Sequence, residues 1–155
     1  MSKRFLPHCT VALLIEHEGR ILMVEEKDEY GKLVFGIPAG HTDARESIVE
    51  AALREGQEEV GCEIELISLI GIYDYVKDYE TILRFCFNAR LKEIPATFHP
   101  KDPDGDILAV KWYTRDEIYA KKDQWRTRLV GLCLEDYYRG NSFPVSLITT
   151  TTARS

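Results

Sequence analysis

Positive charge is in short supply. The 155-residue chain has 20 lysines and arginines against 26 aspartates and glutamates, a formal net charge of −6. A surface with that balance has no general attraction for a polyanion, which argues against a nucleic-acid polymer or an acidic membrane as partner. A small anionic substrate stays open if a metal cation mediates the contact. Long apolar runs are missing too. No segment is long enough to span a bilayer, and the opening MSKRFLPHCTV breaks too early for a secretory signal. The four cysteines, Cys9, Cys62, Cys86 and Cys133, form no CxxC pair and no metal-type spacing. They sit in apolar surroundings, as Cys86 does in RFCFNA, and are expected as buried reduced thiols of a cytoplasmic protein. Neither GxGxxG nor a Walker P-loop occurs, and no Ser-His-Asp signature can be read locally. No linker or repeat divides the chain. It reads as one domain over residues 1–148, with a weakly patterned, flexible tail at 149–155.

What is there alternates between strand and helix signals. β-forming residues fill Cys9–Ile15, and a Glu18-Gly19 turn leads to a partner strand at Arg20–Glu26. A short strand at Leu33–Ile37 is broken by Pro38. Ser47–Val60 reads as a helix, with Ser47 and Glu50 as a capping box and Gly61 as its stop. Strands follow at Ile64–Val76, Thr81–Leu91 and Ile107–Tyr113, then a short helix at Asp116–Lys121 and a longer one at Arg126–Tyr138. Strict βα alternation is absent, which excludes a Rossmann-type fold. Hairpin-joined strands with a helix inserted after the third predict an α/β fold, a mixed sheet between helices.

The chemistry concentrates in GHTDARESIVEAALREGQEEVGC, Gly40 to Cys62. Glu55, Glu58 and Glu59 are i, i+3 and i+4 neighbours, so on a regular helix they share an arc of roughly 100°. Val49, Ala52, Leu53, Gly56 and Val60 form the adjoining apolar stripe. Three like charges so placed disfavour the helix by a few tenths of a kcal/mol per pair. An acidic helix face is ordinarily a solvated one, but such faces usually mix their signs. A hard divalent cation removes the penalty, because Mg²⁺ takes carboxylate oxygens, water and substrate phosphate. Arg54, with Glu50 and Glu58 at i−4 and i+4, is placed to hold a glutamate in one rotamer.

Gly40, Glu46, Arg54, Glu55, Glu58, Glu59, Gly61 and Cys62 carry a spacing that closely resembles the Nudix box. One position departs: Gly56 stands where the family usually has an apolar side chain. The resemblance implies a Nudix fold, an α/β/α sandwich with a mixed β-sheet, and hydrolysis of a diphosphate linkage in a small phosphorylated substrate. It implies Mg²⁺ as cofactor, with Mn²⁺ as the alternative, held by Glu55, Glu58, Glu59 and the Gly40 carbonyl. Arg54 and Glu46 would brace the glutamates, and Glu55 would be the general base. The segments PHCTVA, IPAGH, TILRFCF and DGDILAVKWYTRDEI resemble a narrower group, the NudJ type of Nudix phosphatase. That group implies phosphate release from nucleoside tri- and diphosphates or from thiamine-type pyrophosphates. The competing readings are a nucleotide-sanitising or ADP-ribose-type pyrophosphatase and a non-catalytic Nudix ligand-binding module. Monomer and homodimer are both compatible with the family.

Outside the box, four residues are candidates for touching substrate. Arg84 alternates with Leu83 and Phe85 in a strand, and its fork suits phosphate oxygens. Phe35 falls where related chains carry an aromatic and could stack on a heterocycle, or simply pack in the core. His41 follows Gly40 directly. Asp106 is the favoured carboxylate of the Asp102, Asp104, Asp106 cluster, although Asp-Pro and Asp-Gly are also ordinary turn chemistry. Arg126 and Arg128 are left open, as residues that cap or solvate the last helix.

Overall fold

The computed structural model describes residues 4–153. Residues 1–3 of the expected domain and 154–155 of the expected tail lie outside that range. The strands are β1 (His8–His17), β2 (Arg20–Lys27), β3 (Leu33–Gly36), β4 (Ala39–His41), β5 (Ile64–Val76), β6 (Thr81–Leu91) and β7 (Ile107–Thr114). The helices are α1 (Ile48–Glu55), α2 (Arg115–Ala120) and α3 (Leu129–Tyr138). β1 is central. It runs parallel to β6 from His8 opposite Ile82 to Ile15 opposite Ala89. Its other edge takes β4 beside Thr10–Ala12 and β2 beside Glu16 and His17, both antiparallel. The sheet is therefore mixed, in the order β3-β2-β1-β6-β5, with β7 on β2.

Alternation along β1 divides the core into two layers. Val11, Leu13 and Ile15 pack with Ala51 and Ala52 of α1 and with Val60. Ala12 and Leu14 pack on the opposite face with Ile118 of α2 and Leu129, Val130 and Leu134 of α3. Burial on both faces explains why β1 is continuously apolar rather than alternating. The result is the expected α/β/α sandwich. Among the described residues no helix is long and apolar enough to cross a membrane.

Several local expectations are corrected. Cys86 and Cys133 are not free thiols but a disulfide joining β6 to α3. Strand phase puts Cys86 on the α3 face, helix phase turns Cys133 toward it, and both are fully buried. Forty-seven residues separate them, so no sequence spacing announces the pair. Cys9 and Cys62 remain free. The compartment reading that rested on reduced thiols loses that support.

The helix expected over Ser47–Val60 is two pieces, since α1 ends at Glu55 and a wider π turn covers Gly56–Val60. Leu53, expected in the core stripe, is 41% exposed, whereas Glu55 is only 5% exposed. The acidic residue thus lies on the inward side of the helix. The last helix starts at Leu129 rather than Arg126, because the Arg126 amide donates to the Phe35 carbonyl at 2.8 Å. β4 was not foreseen after Pro38.

Candidate active site

The box is held in place at both ends. Ser47 Oγ accepts from the Glu50 amide, and Glu50 Oε1 accepts from the Ser47 amide, each at 3.0 Å. This capping box satisfies two of the amides that open α1. At the other end Gly61 takes φ 77°, and an added Cβ would stand 2.0 Å from the His99 carbonyl oxygen. The loop before β7 therefore docks on the π turn, and the Lys101 amide donates to the Glu58 carbonyl at 2.8 Å. Gly56 lies against β5, where a Cβ would meet three Ile64 carbons at 3.1 Å. Close packing thus offsets the helix-propensity cost of that glycine. The single π turn also phases Glu58 and Glu59 differently from a regular helix, a distortion common at functional sites.

Arg54 is the hub. Its Nε donates to Glu46 Oε2 at 2.7 Å and its Nη2 to Glu46 Oε1 at 3.0 Å, a two-point clamp. Nη1 donates to Glu55 Oε1 and to Glu58 Oε2, both at 2.9 Å. Nη2 also donates to the His41 carbonyl at 2.8 Å, which ties α1 to β4. This network uses the planar fork in a way lysine could not. The hydrogen bond from Arg54 holds the Glu46 carboxyl below its usual range, and Glu46 in turn raises Arg54.

Glu55 lies directly over Gly40, where an added Cβ would be 2.1 Å from Glu55 Oε1. Burial pushes the Glu55 carboxyl up to about 7 against the opposing effect of Arg54. Glu59 accepts from the Ala39 amide at 2.8 Å, and burial pushes it up to about 8. Two carboxyls kept from ionising near neutrality are what a cation can reverse.

The donor set fits a hard divalent cation. Glu55, Glu58 and Glu59 each commit one oxygen to a named donor and, among the described residues, leave the other without a partner. None of those oxygens is a sealed, unsatisfied atom, so each can be reached. The bare glycine at position 40 lets backbone and carboxylate come together. Among the described residues, however, no three acidic, histidine or cysteine side chains already stand in ligating array. Arg54 sits between Glu55 and Glu58, so holding a cation requires rotamer changes about fixed backbones.

The other candidates fall in different places. Arg84 and His41 both stand opposite Thr10 in the strands beside β1; Glu59 acts electrostatically on Arg84, and Arg84 on His41. Burial, with the like charge of Arg126, lowers Arg84 to about 10. Burial, followed by His8, lowers His41. Phe35 is 3% exposed, with Lys121 Nζ 4.6 Å above its ring and Tyr113 at its edge. Asp106 is exposed, and its amide donates to Asp102 Oδ2 at 2.7 Å, an aspartate-closed turn.

Sequence reasoning missed Glu26, which is buried, ion-paired with Arg126, and close enough to Glu59 to raise it. One hundred residues separate Glu26 from Arg126, and only tertiary structure brings β2 and the start of α3 together.

This geometry agrees with what the chain is similar to. A family model, the NUDIX domain, matches residues 6–131. Phosphatase NudJ of Shigella boydii serotype 4 (strain Sb227) is 36% identical over 145 residues, covering 93% of this chain and 92% of its own. Phosphatase NudJ of Escherichia coli (strain K12) is 35% identical over the same extent. A NUDIX hydrolase structure from Nitrosomonas europaea superposes with TM-score 0.88 at 33% identity, over 96% of this chain and 100% of that one. The domain match, the relatives and the arginine-braced glutamates all agree, and the chain belongs to the Nudix hydrolase family.

Proposed function

We propose that this hydrolase acts on small diphosphate compounds, releasing orthophosphate from nucleoside tri- and diphosphates or from thiamine-type pyrophosphates, with Mg²⁺ or, in its place, Mn²⁺. One observation carries the reading: Glu55 and Glu58 meet at Arg54, Glu59 is held by the Ala39 amide, and among the described residues each keeps an uncommitted oxygen. The choice of orthophosphate as product is supported by relatives named phosphatases that match over nearly the whole of both chains.

Glu55, Glu58 and Glu59, with the Gly40 carbonyl, would hold the cation, which when bound neutralises phosphate charge and polarises water. Arg54 and Glu46 position the carboxylates. Glu55 accepts the proton of the attacking water, a role suited to a buried carboxyl lying near 7. Most of the rate then comes from positioning and charge stabilisation.

The test is orthophosphate and pyrophosphate release, with Mg²⁺ or with EDTA. The panel holds nucleoside tri- and diphosphates, thiamine pyrophosphate, ADP-ribose and diadenosine polyphosphates. Mg²⁺-dependent orthophosphate from the simple di- and triphosphates is the expected outcome. Pyrophosphate release, or turnover of ADP-ribose or dinucleotides alone, replaces the reading with a pyrophosphatase of another specificity. Binding without any turnover replaces it with a ligand-binding module.

A further inference from the structure

The glutamates and the cation they would hold leave one strong charge unused. Arg84 lies opposite Thr10 in the parallel β1–β6 pair. Alternation turns both side chains toward the α3 face, where Ala12 and Cys86 also point. Arg84 Nε donates to Thr10 Oγ1 at 3.2 Å. Among the described residues, Arg84 makes no other hydrogen bond and no ion pair. A guanidinium offers five donors, so most of its fork is uncommitted. Its charged neighbours are mainly of its own sign: Arg126 opposes it, and only Glu59 favours it. Arg126 has its own counter-ion in Glu26. His41 stands beside this pair of arginines, its ring edge-on to His8 with centroids 5.8 Å apart. A largely buried cation without a counter-ion costs free energy that the fold gains nothing from. An anionic ligand removes that cost.

Counting charge indicates which anion. A diphosphate diester carries about two negative charges, which one divalent cation balances. A compound ending in a free phosphate carries about one more near neutral pH, since the second ionisation falls near 6. We propose that Arg84, with Arg126 and His41 beside it, seats the phosphate group not covered by the glutamate-held cation, and thereby selects substrates that end in a free phosphate over diphosphate diesters. The selectivity rests on the phosphohydrolase reading above, whereas the phosphate seat does not.

Two measurements separate the two. The first is calorimetric binding of inorganic pyrophosphate in EDTA at low salt, for the wild type, Arg84→Gln, Arg84→Lys and the exposed control Arg90→Gln. The expected result is binding by the wild type and Arg90→Gln, about tenfold or more weaker binding by Arg84→Gln, and an intermediate value for Arg84→Lys, which keeps charge but loses the fork. No binding by the wild type, or equal binding by Arg84→Gln, overturns the seat. The second is kcat/KM for ADP and for ADP-ribose with Mg²⁺. Arg84→Gln should lower the ADP value at least tenfold more than the ADP-ribose value, and an equal fall in both overturns the selectivity. If neither substrate is turned over, the phosphohydrolase reading fails and the pyrophosphate isotherms still decide the seat. Melting temperatures check folding. If Arg84→Gln melts lower, Arg84→Lys decides alone: undiminished pyrophosphate binding by a folded Arg84→Lys overturns the role of the fork.

Discussion

At position 40 there is no room for a side chain. A methyl group there would stand 2.1 Å from Glu55 Oε1, well inside contact distance. Gly40→Ala should therefore move the Glu55 carboxylate by about an ångström while leaving the β4 backbone able to pair. A misplacement of that size costs on the order of 100-fold in rate. The check is kcat at saturating Mg²⁺ beside the melting temperature: a large fall in kcat with an intact fold is expected, and wild-type kcat would remove Glu55 from its assigned position. The site was legible in the sequence to the extent that it is local. Gly40, Glu46, Arg54 and the three glutamates fall within one segment; helix spacing brought Arg54 and the glutamates together, and the resemblance to the Nudix box added Gly40 and Glu46. Glu26 and Arg126 were not legible. An acid in a strand and an arginine before a helix are ordinary in isolation, and they acquire meaning only through β2 and the start of α3 meeting. Leu53 and Glu55 were misassigned for a related reason. Side-chain polarity put Leu53 inside, whereas the helix turns a carboxylate inward, where Arg54 offsets only part of the cost of its burial.

At the scale of elements, hydrophobic alternation and turn residues located most strands to within a residue or two, because β5, β6 and β7 are bounded by clear turn chemistry. β4 escaped because three residues carry too little pattern, and a proline stands directly before it. The π turn escaped because one inserted residue does not disturb composition. It is fixed instead by the tight contact of Gly56 with Ile64 and by the docking of the His99–Lys101 segment on Gly61 and Glu58. The helix start is more transparent, since the capping box predicted for Ser47 and Glu50 is formed in full. Ser47→Ala should cost about 1 kcal/mol of stability through loss of one satisfied amide. Denaturant unfolding reads this as a lower midpoint with an unchanged slope, and an unchanged midpoint would mean that the Arg54 network holds α1 without the cap. Gly61→Ala should cost more, because a left-handed φ of 77° is compounded by the clash with the His99 carbonyl. Its effect should reach activity as well, since the same turn aims Glu58 and Glu59.

Over the whole molecule two constraints meet at the sheet. The Cys86–Cys133 disulfide fastens α3 to the face that also carries Arg84, closing a loop of 47 residues. Chain-entropy arguments give about 4 kcal/mol for a loop of that size, with 2–4 kcal/mol typical. Reduction should lower the melting temperature by several degrees, and thiol titration of the unfolded chain should count two groups before reduction and four after. Four before reduction would remove the bridge. The second constraint is electrostatic and opposes the fold. Unfolding returns the Glu55 and Glu59 carboxyls from about 7 and about 8 to their ordinary 4.5. The native chain then binds more protons than the unfolded one between those values, so ∂ΔG/∂pH is negative there. Their contribution is fully present below 4.5 and is lost as pH rises through 7 and 8. Metal-free protein should thus lose stability from these two groups between pH 5.5 and 8. Mg²⁺ binds the ionised carboxylates and so should restore most at the upper end, where fewer protons have to be displaced. Scanning fluorimetry in EDTA and in millimolar Mg²⁺ at the two pH values checks this. A Mg²⁺-induced rise in melting temperature that is larger at pH 8 is expected. A rise that is equal or larger at pH 5.5 would place the cation on groups other than the buried glutamates.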